Sequence, residues 1–392
     1  MTQPILPGDF PWFDYSRYTF SLGVTNGQHA YLSGHSASRY DPDAGGIVVT
    51  GGMEEQARTA YAKIERILEA AGRTFADVVR VVENVTLDGA GSYAEAEAVR
   101  AEVFGEHRPA VTTMIVDRLL RPAAWIEIEV TAGPPGDALA SDRPAQARAR
   151  RSDGVVHLSS ILPLDVGGEV VAPGDLVGQT HAIYERAGEV LAAMGLGWTN
   201  VVKTVDVVTP AALAAYKHTG RVRRDHLVPD YPAATGVLME RLAHLEALIQ
   251  VDFTASVHEP QAVNPGWERY RKLTYSPAVR AGGLLFMSGQ AALDPPTEQA
   301  LHTGDVAAQA EYTYTNILTV LRTAGLGPEH LVKTIEYVTP AGLPRYREVA
   351  EVRRQLLREP WPASTGIVCA ALLRPEFEIE IDPLAVFDLE SV

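Results

Sequence analysis

From Met53 to Ala71 the apolar residues Ala57, Ala60, Tyr61, Ile64, Ile67 and Leu68 fall on one helical face, and Gly72 follows where a left-handed residue closes a helix. The period then changes. Val78 to Thr86 is rich in β-branched residues and half alternating, which predicts a strand. A second helix is expected from near Ser92 until shortly before Pro109. In Ile126-Glu127-Ile128-Glu129-Val130 strict alternation predicts a closing strand with its apolar residues on one face and both acids on the other.

The same order is written three times. Gln56, Gly72, Glu83, Pro109 and Glu127 align without a gap with Gln179, Gly195, Asp206, Pro232 and Gln250, and again with Gln309, Gly325, Glu336, Pro362 and Glu380. Arg100, Arg223 and Arg353 keep one spacing before the Pro, and an apolar stretch ending in Ser33, Ser159 or Ser288 opens each copy. Strands are expected likewise over Val201 to Thr209 and Leu331 to Thr339, with second helices beginning near Pro210 and Pro340. A repeat of about 125 residues is too long for a solenoid unit, so each copy reads as a domain. The Pro- and Gly-containing stretches Gly133 to Pro144 and Val257 to Gly266 read as linkers, giving domains over 1–137, 138–262 and 263–392. Each is expected to be α+β, a mixed sheet with two helices on one face.

Charge and composition narrow the partners. Among 392 residues, 34 Lys and Arg stand against 49 Asp and Glu, a formal charge of −15 that repels nucleic acid. Apolar runs fall short of the roughly 20 residues a membrane-spanning helix needs, and the first residues lack the basic-then-apolar pattern of a secretory signal. A cytoplasmic chain with no membrane partner is expected. Cys369, the only cysteine, lies in an apolar run and reads as a small buried hydrophobe. The 11 His neither recur through the copies nor fall at ligand spacing, and no Gly-rich phosphate loop is present, so no metal and no cofactor are expected.

Tyr275-Ser276-Pro277-Ala278-Val279, Ser288-Gly289-Gln290, Leu331-Val332-Lys333-Thr334, Pro362-Ala363 and Glu378-Ile379-Glu380 resemble the Rid (YjgF) family of enamine and imine deaminases. The resemblance spans the third copy, nearly all of the first through Phe20, Ser33-Gly34 and the closing strand, and the second more loosely. It implies three tandem Rid-like (chorismate mutase-like) domains that form, within one chain, the ring such proteins make as homotrimers, with a small-molecule pocket at each interface. The isolated chain is then expected as a monomer, or as a dimer of rings. The family's deaminases carry an Arg two residues after the Pro, suited to hold a carboxylate. Here those positions are Val111, Ala234 and Ser364, which argues against ordinary deamination of 2-aminoacrylate.

The resemblance makes Glu127 and Glu380 the candidate catalytic acids, since burial at an interface would raise their pKa values. Phe20, Ser33, Gly34, Tyr275, Ser288, Gly289, Ser364 and Thr365 are candidate substrate-binding residues, as are Arg100 and Arg353, although a structural pairing of the Arg series with Glu83, Asp206 and Glu336 is the stronger expectation. The second copy has Gln146, Ser160 and Gln250 where the third has Tyr275, Gly289 and Glu380, so the working pocket is expected between the first and third. Two pairings would build it. Either Tyr275 and Ser288 face Glu127, the preferred one for its hydroxyl, or Phe20 and Ser33 face Glu380 with Ser364 and Thr365. The expected function is hydrolysis of a small reactive imine, enamine or enol-type intermediate. The alternatives are a non-catalytic small-molecule binding or scaffold protein and a hydrolase of chorismate-like enol ethers.

Overall fold

The computed structural model describes residues 2–227 and 230–387. The three repeats, called domains I, II and III below, fold alike. In domain I the strands run Gly23–Thr25, Ala30–Leu32, Ile126–Ala132, Val78–Thr86 and Ala110–Val116 across the sheet, and only the last two are parallel. The helix Met53–Ala70 follows the expected face, and Gly72 adopts a φ of 68° at its end. Ile126, Ile128 and Val130 pack with Ala57, Ile64 and Ile67 in the core between sheet and helices. The opposite face of the closing strand, which carries Glu127 and Glu129, turns toward the other domains.

Two details depart from the sequence reading. The second helix is continuous over Tyr93–Phe104 in domain I, but in domain II it is broken into Leu213–Tyr216 and Gly220–His226 joined by a tighter turn, and in domain III only Val349–Leu356 is α-helical. Pro210, Gly220 and Pro344 account for this, because each lowers the gain from continuing a regular helix. The stretches read as linkers are also strands. Pro135–Ala140 pairs antiparallel with Ala147–Ser152, and Gln261–Val263 with Ala278–Ala281. Each covers a sheet edge whose backbone N–H and C=O groups would otherwise lack partners.

The domains close into a ring. The Pro-Ala strand of each meets the opening strand of the next in parallel, at Ala110 with Ala147, Ala233 with Ser276, and Ala363 with Ser21. A Ser hydroxyl ties each junction. Ser33 Oγ accepts from the Ser364 N–H at 2.8 Å and donates to the Ser21 carbonyl at 2.6 Å. Ser159 makes the same two bonds to Val111 and Ala147, and Ser288 to Ala234 and Ser276. Around the axis, Lys333 pairs with Glu129 at 2.6 Å, Arg80 with Asp252 at 3.2 Å and Lys203 with Asp382 at 2.7 Å, each between neighbouring domains. The second acid of every closing strand is therefore spent on holding the ring together around a small central cavity of about 110 Å³.

Candidate functional site

Two interfaces open into pockets. One lies between domains I and III, about 640 Å³ in volume, where Phe20, Gly34 and Glu127 of domain I face Arg353, Ser364 and Gly366 of domain III. The other, about 410 Å³, lies between domains III and II, where Tyr275, Gly289 and Glu380 face Arg223, Ala234, Thr235 and Gly236. Volumes of this order suit a small metabolite. Neither expected pairing forms. Each Glu lies beside the Ser-Gly turn of its own domain, because the Ser-Gly turn and the closing strand are adjacent in one sheet, with Ile128 opposite His35 and Gln290 bridged to Ile381. The neighbouring domain contributes its Pro-Ala strand. Tyr275 and Ser288 thus accompany Glu380, and Phe20 and Ser33 accompany Glu127.

Gly34 and Gly289 have a steric role. A Cβ on Gly34 would sit 2.5 Å from a Glu127 carboxylate oxygen, and one on Gly289 would overlap Glu380. Their N–H groups are already engaged, donating to Thr365 Oγ1 at 3.0 Å and Thr235 Oγ1 at 2.9 Å. The same Thr365 hydroxyl donates to Glu129 and accepts from Lys333. Thr365 therefore couples the axial ion pair to the pocket wall, and Ser33 and Ser288 are engaged in stitching the ring. Gly289→Ala is expected to displace the Glu380 side chain and silence that pocket while the domain I–III pocket still works, so about half of the bound-ligand stoichiometry should be lost in a calorimetric titration.

The recurring Arg residues form buried pairs. Glu83 binds Arg100 and accepts from the Tyr61 and Tyr93 hydroxyls at 2.8 and 2.5 Å. Glu336 binds Arg353 at 2.6 Å and accepts from Tyr314 and Tyr346 at 2.5 Å each, and Asp206 binds Arg223 and Tyr216. Burial disfavours ionised Glu336, but Arg353 and the two tyrosines outweigh it and hold its carboxyl below the usual range. Arg353 lines the domain I–III pocket with its charge already matched, and its Nε donates to Thr19 of domain I at 3.0 Å.

The two acids that face the pockets shift in the direction opposite to Glu336. Burial, reinforced by Glu129, raises Glu127 to about 7 against the pull of Lys333 and Lys63. Burial, reinforced by Asp382, raises Glu380 to about 8 against Lys203 and the Gly236 N–H. Each carboxyl can thus hold or release a proton near neutrality. Lys63 escaped the sequence reading, being a lone cation on an otherwise apolar helix face. It is fully buried, donates to the Ser36 carbonyl at 2.7 Å, and lies 5.2 Å from the centre of the Phe13 ring. Burial lowers it to about 7. His35 beside it is pushed down to about 3 by burial and by Lys63, so it stays neutral.

The interface between domains I and II is lined by different residues. Thr113 stands where the other Pro-Ala strands have Gly236 and Gly366, Ser160 where the others have Gly34 and Gly289, and Gln250 where they have Glu. The Gln250 amide donates to the Thr113 carbonyl at 3.0 Å, and the Thr113 hydroxyl lies 2.7 Å from that of Tyr93. Gln250→Glu alone is expected to leave ligand stoichiometry at two per chain, because Thr113 and Ser160 still occupy the space.

The chain is a ring of α+β domains with a carboxyl-bearing pocket at two of its interfaces. The profile of the family described as Endoribonuclease L-PSP matches residues 15–133, 138–257 and 270–387. The chain belongs to that family, the Rid (YjgF) family, three times over. It is 32% identical over 112 residues to human 2-iminobutanoate/2-iminopropanoate deaminase, covering 29% of this chain and 79% of that one. It is 35% identical over 112 residues to a RutC family protein of Synechocystis, slr0709, covering 29% and 85%. Among solved structures, Rv2704 of Mycobacterium tuberculosis, a YjgF/YER057c/UK114 family member, matches at 30% identity with a TM-score of 0.28, covering 33% of this chain and 99% of that one. Among the described residues no helix is long and apolar enough to cross a membrane, and no three His, Cys, Asp or Glu side chains gather as a metal site.

Proposed function

We propose that the chain hydrolyses a small imine or enamine at two pockets, with Glu127 and Glu380 as the proton-transferring groups. The observation that carries this is the pair of carboxyls raised to about 7 and about 8, each at the floor of an open interface pocket. The protonated acid gives its proton to the C=N nitrogen, or to the β-carbon of an enamine, and so makes the central carbon electrophilic. The resulting carboxylate then takes a proton from a water as its oxygen bonds to that carbon. The same carboxyl returns that proton to nitrogen, and as the carbinolamine collapses its hydroxyl proton passes to the carboxylate and ammonia leaves, so imine plus water yields a carbonyl compound and ammonia with the acid form restored. One group that both donates and accepts needs a pKa close to the working pH. The deaminase relatives share this chain's fold, which supports the same reaction type.

Because the acid form starts the reaction, kcat/KM is expected to be flat below pH 7 and to fall tenfold per unit above about 8. Stopped-flow decay of a small imine with no carboxylate on the carbon next to the C=N group, generated in situ, tests this across pH 6 to 10. A profile that rises through the same window, or no acceleration over buffer at any pH, overturns it.

A further inference from the structure

In both open pockets the position beside the acid that would otherwise carry a carboxylate-binding cation is Ser364 or Ala234, and the Arg on the facing helix is consumed by Glu336 or Asp206. The cations left without a carboxylate partner among the described residues lie elsewhere. Arg121 and Arg347 line the domain I–III pocket, and Arg374 and Lys217 line the domain III–II pocket, where Arg224, Arg269 and Lys272 add further positive charge without an equivalent in the other. The first four are exposed, while the acids are not. They therefore sit toward the mouths, with the proton-transferring carboxyls at the floors.

The chain supplies its own control. Arg121 and Arg374 are equivalent positions, each the same number of residues before its Glu, and Arg347 and Lys217 are equivalent positions on the second helices. At the third interface those positions are His244 and Ala94. The cation pair is thus kept at the two interfaces that keep Glu and both glycines, and lost at the one that has lost them. Rim charges serving only solubility would have no reason to follow the acid. With 49 acidic against 34 basic side chains, the molecule as a whole repels anions, so an anionic ligand needs such a local reversal of sign.

We infer that each open pocket has an anion subsite at its mouth, Arg121 with Arg347 in one and Arg374 with Lys217 in the other. It selects substrates whose carboxylate lies several bonds away from the reacting carbon, not on the carbon next to it. This rests on the hydrolytic reading for which end of the molecule reacts, but the subsite itself requires only the pocket. A remote carboxylate reaches the mouth while the carbonyl or imine end lies against the acid, whereas a 2-oxo or 2-imino acid brings its carboxylate beside an ionisable acid, where Ser364 or Ala234 offers no charge and Arg353 or Arg223 is already paired.

Two isomeric product-like probes separate the possibilities. Titration calorimetry with 4-oxopentanoate is expected to give two sites per chain and at least fivefold tighter binding than 2-oxopentanoate. The variant Arg121→Gln/Arg347→Gln should lose one of the two sites, and Arg374→Gln/Lys217→Gln the other, each weakening by tenfold or more. Methyl 4-oxopentanoate, which lacks the charge, should bind wild type and variants alike. Equal or tighter binding of 2-oxopentanoate, or rim variants that bind 4-oxopentanoate as wild type does, overturns the subsite. If the isomer preference holds while Glu127→Gln/Glu380→Gln still turns over imine, the subsite stands and the hydrolytic reading falls. Surface substitutions at four exposed positions leave the cores intact, and a thermal melt confirms folding before titration.

Discussion

The double variant Glu127→Gln/Glu380→Gln should lose imine hydrolysis by about 10²- to 10⁴-fold, the range that a positioned proton donor contributes. Each single variant should retain close to half the wild-type kcat, because the other pocket is built from different residues. Gln keeps the shape of Glu and removes only the titrating proton, and Gln250 shows that the ring accepts an amide at that position. The readout is progress-curve decay of a generated imine, with the buffer-catalysed rate subtracted. Activity in the double variant equal to wild type would mean the carboxyls are scaffold and the pockets only bind.

The same variant has a second signature. Both carboxyls are raised in the folded chain from the usual 4.5 to about 7 and about 8, so the native state holds their protons more tightly than the unfolded state does. Their contribution to stability is therefore full below about pH 4.5 and is lost as pH rises toward 8, where the unfolded chain has long ionised. Gln never ionises. The double variant should match wild type at pH 4.5 and exceed it at pH 8.5 in denaturant midpoint, an exchange of activity for stability that a merely structural pair would not show.

The largest loss of stability is expected from Arg353→Met. Glu336 is fully buried and its carboxylate depends on Arg353 and two tyrosine hydroxyls, so removing the guanidinium strands a buried charge at a cost of about 3–5 kcal/mol. Thr19 of domain I loses its donor at the same stroke, which weakens the ring closure between domains I and III. Glu336→Gln with Arg353→Met removes both charges and should recover part of the loss. Chemical denaturation of the two variants beside wild type checks this. A single variant within about 0.5 kcal/mol of wild type, the range of an ordinary surface change, would contradict the pairing.

The sequence by itself determined the threefold repeat, the α+β character of each copy and the identity of the acids that reach the pockets. Those features are local. Alternation in Ile126-Glu127-Ile128-Glu129-Val130 sends both acids to one face whatever lies opposite, and the uninterrupted alignment of Gln56 with Gln179 and Gln309 needs no coordinates. The same locality let the Arg series be matched with Glu83, Asp206 and Glu336, since both sets lie within one domain. What Glu127 and Glu129 do differently was not legible, because it depends on residues of another domain. Lys333 reaches across the axis to Glu129, while Glu127 one pleat further on finds no cation in ion-pairing contact and opens into a pocket. Nor could the pairing of the half-sites be read. Which Glu shares a wall with which Ser-Gly turn is set by strand order in the sheet, and which neighbour supplies the Pro-Ala strand is set by the direction in which the ring closes. Two arrangements of identical local sequence differ only in that direction, and the contacts that choose between them, from Ser21 with Ala363 to Ala233 with Ser276, join residues far apart in the chain.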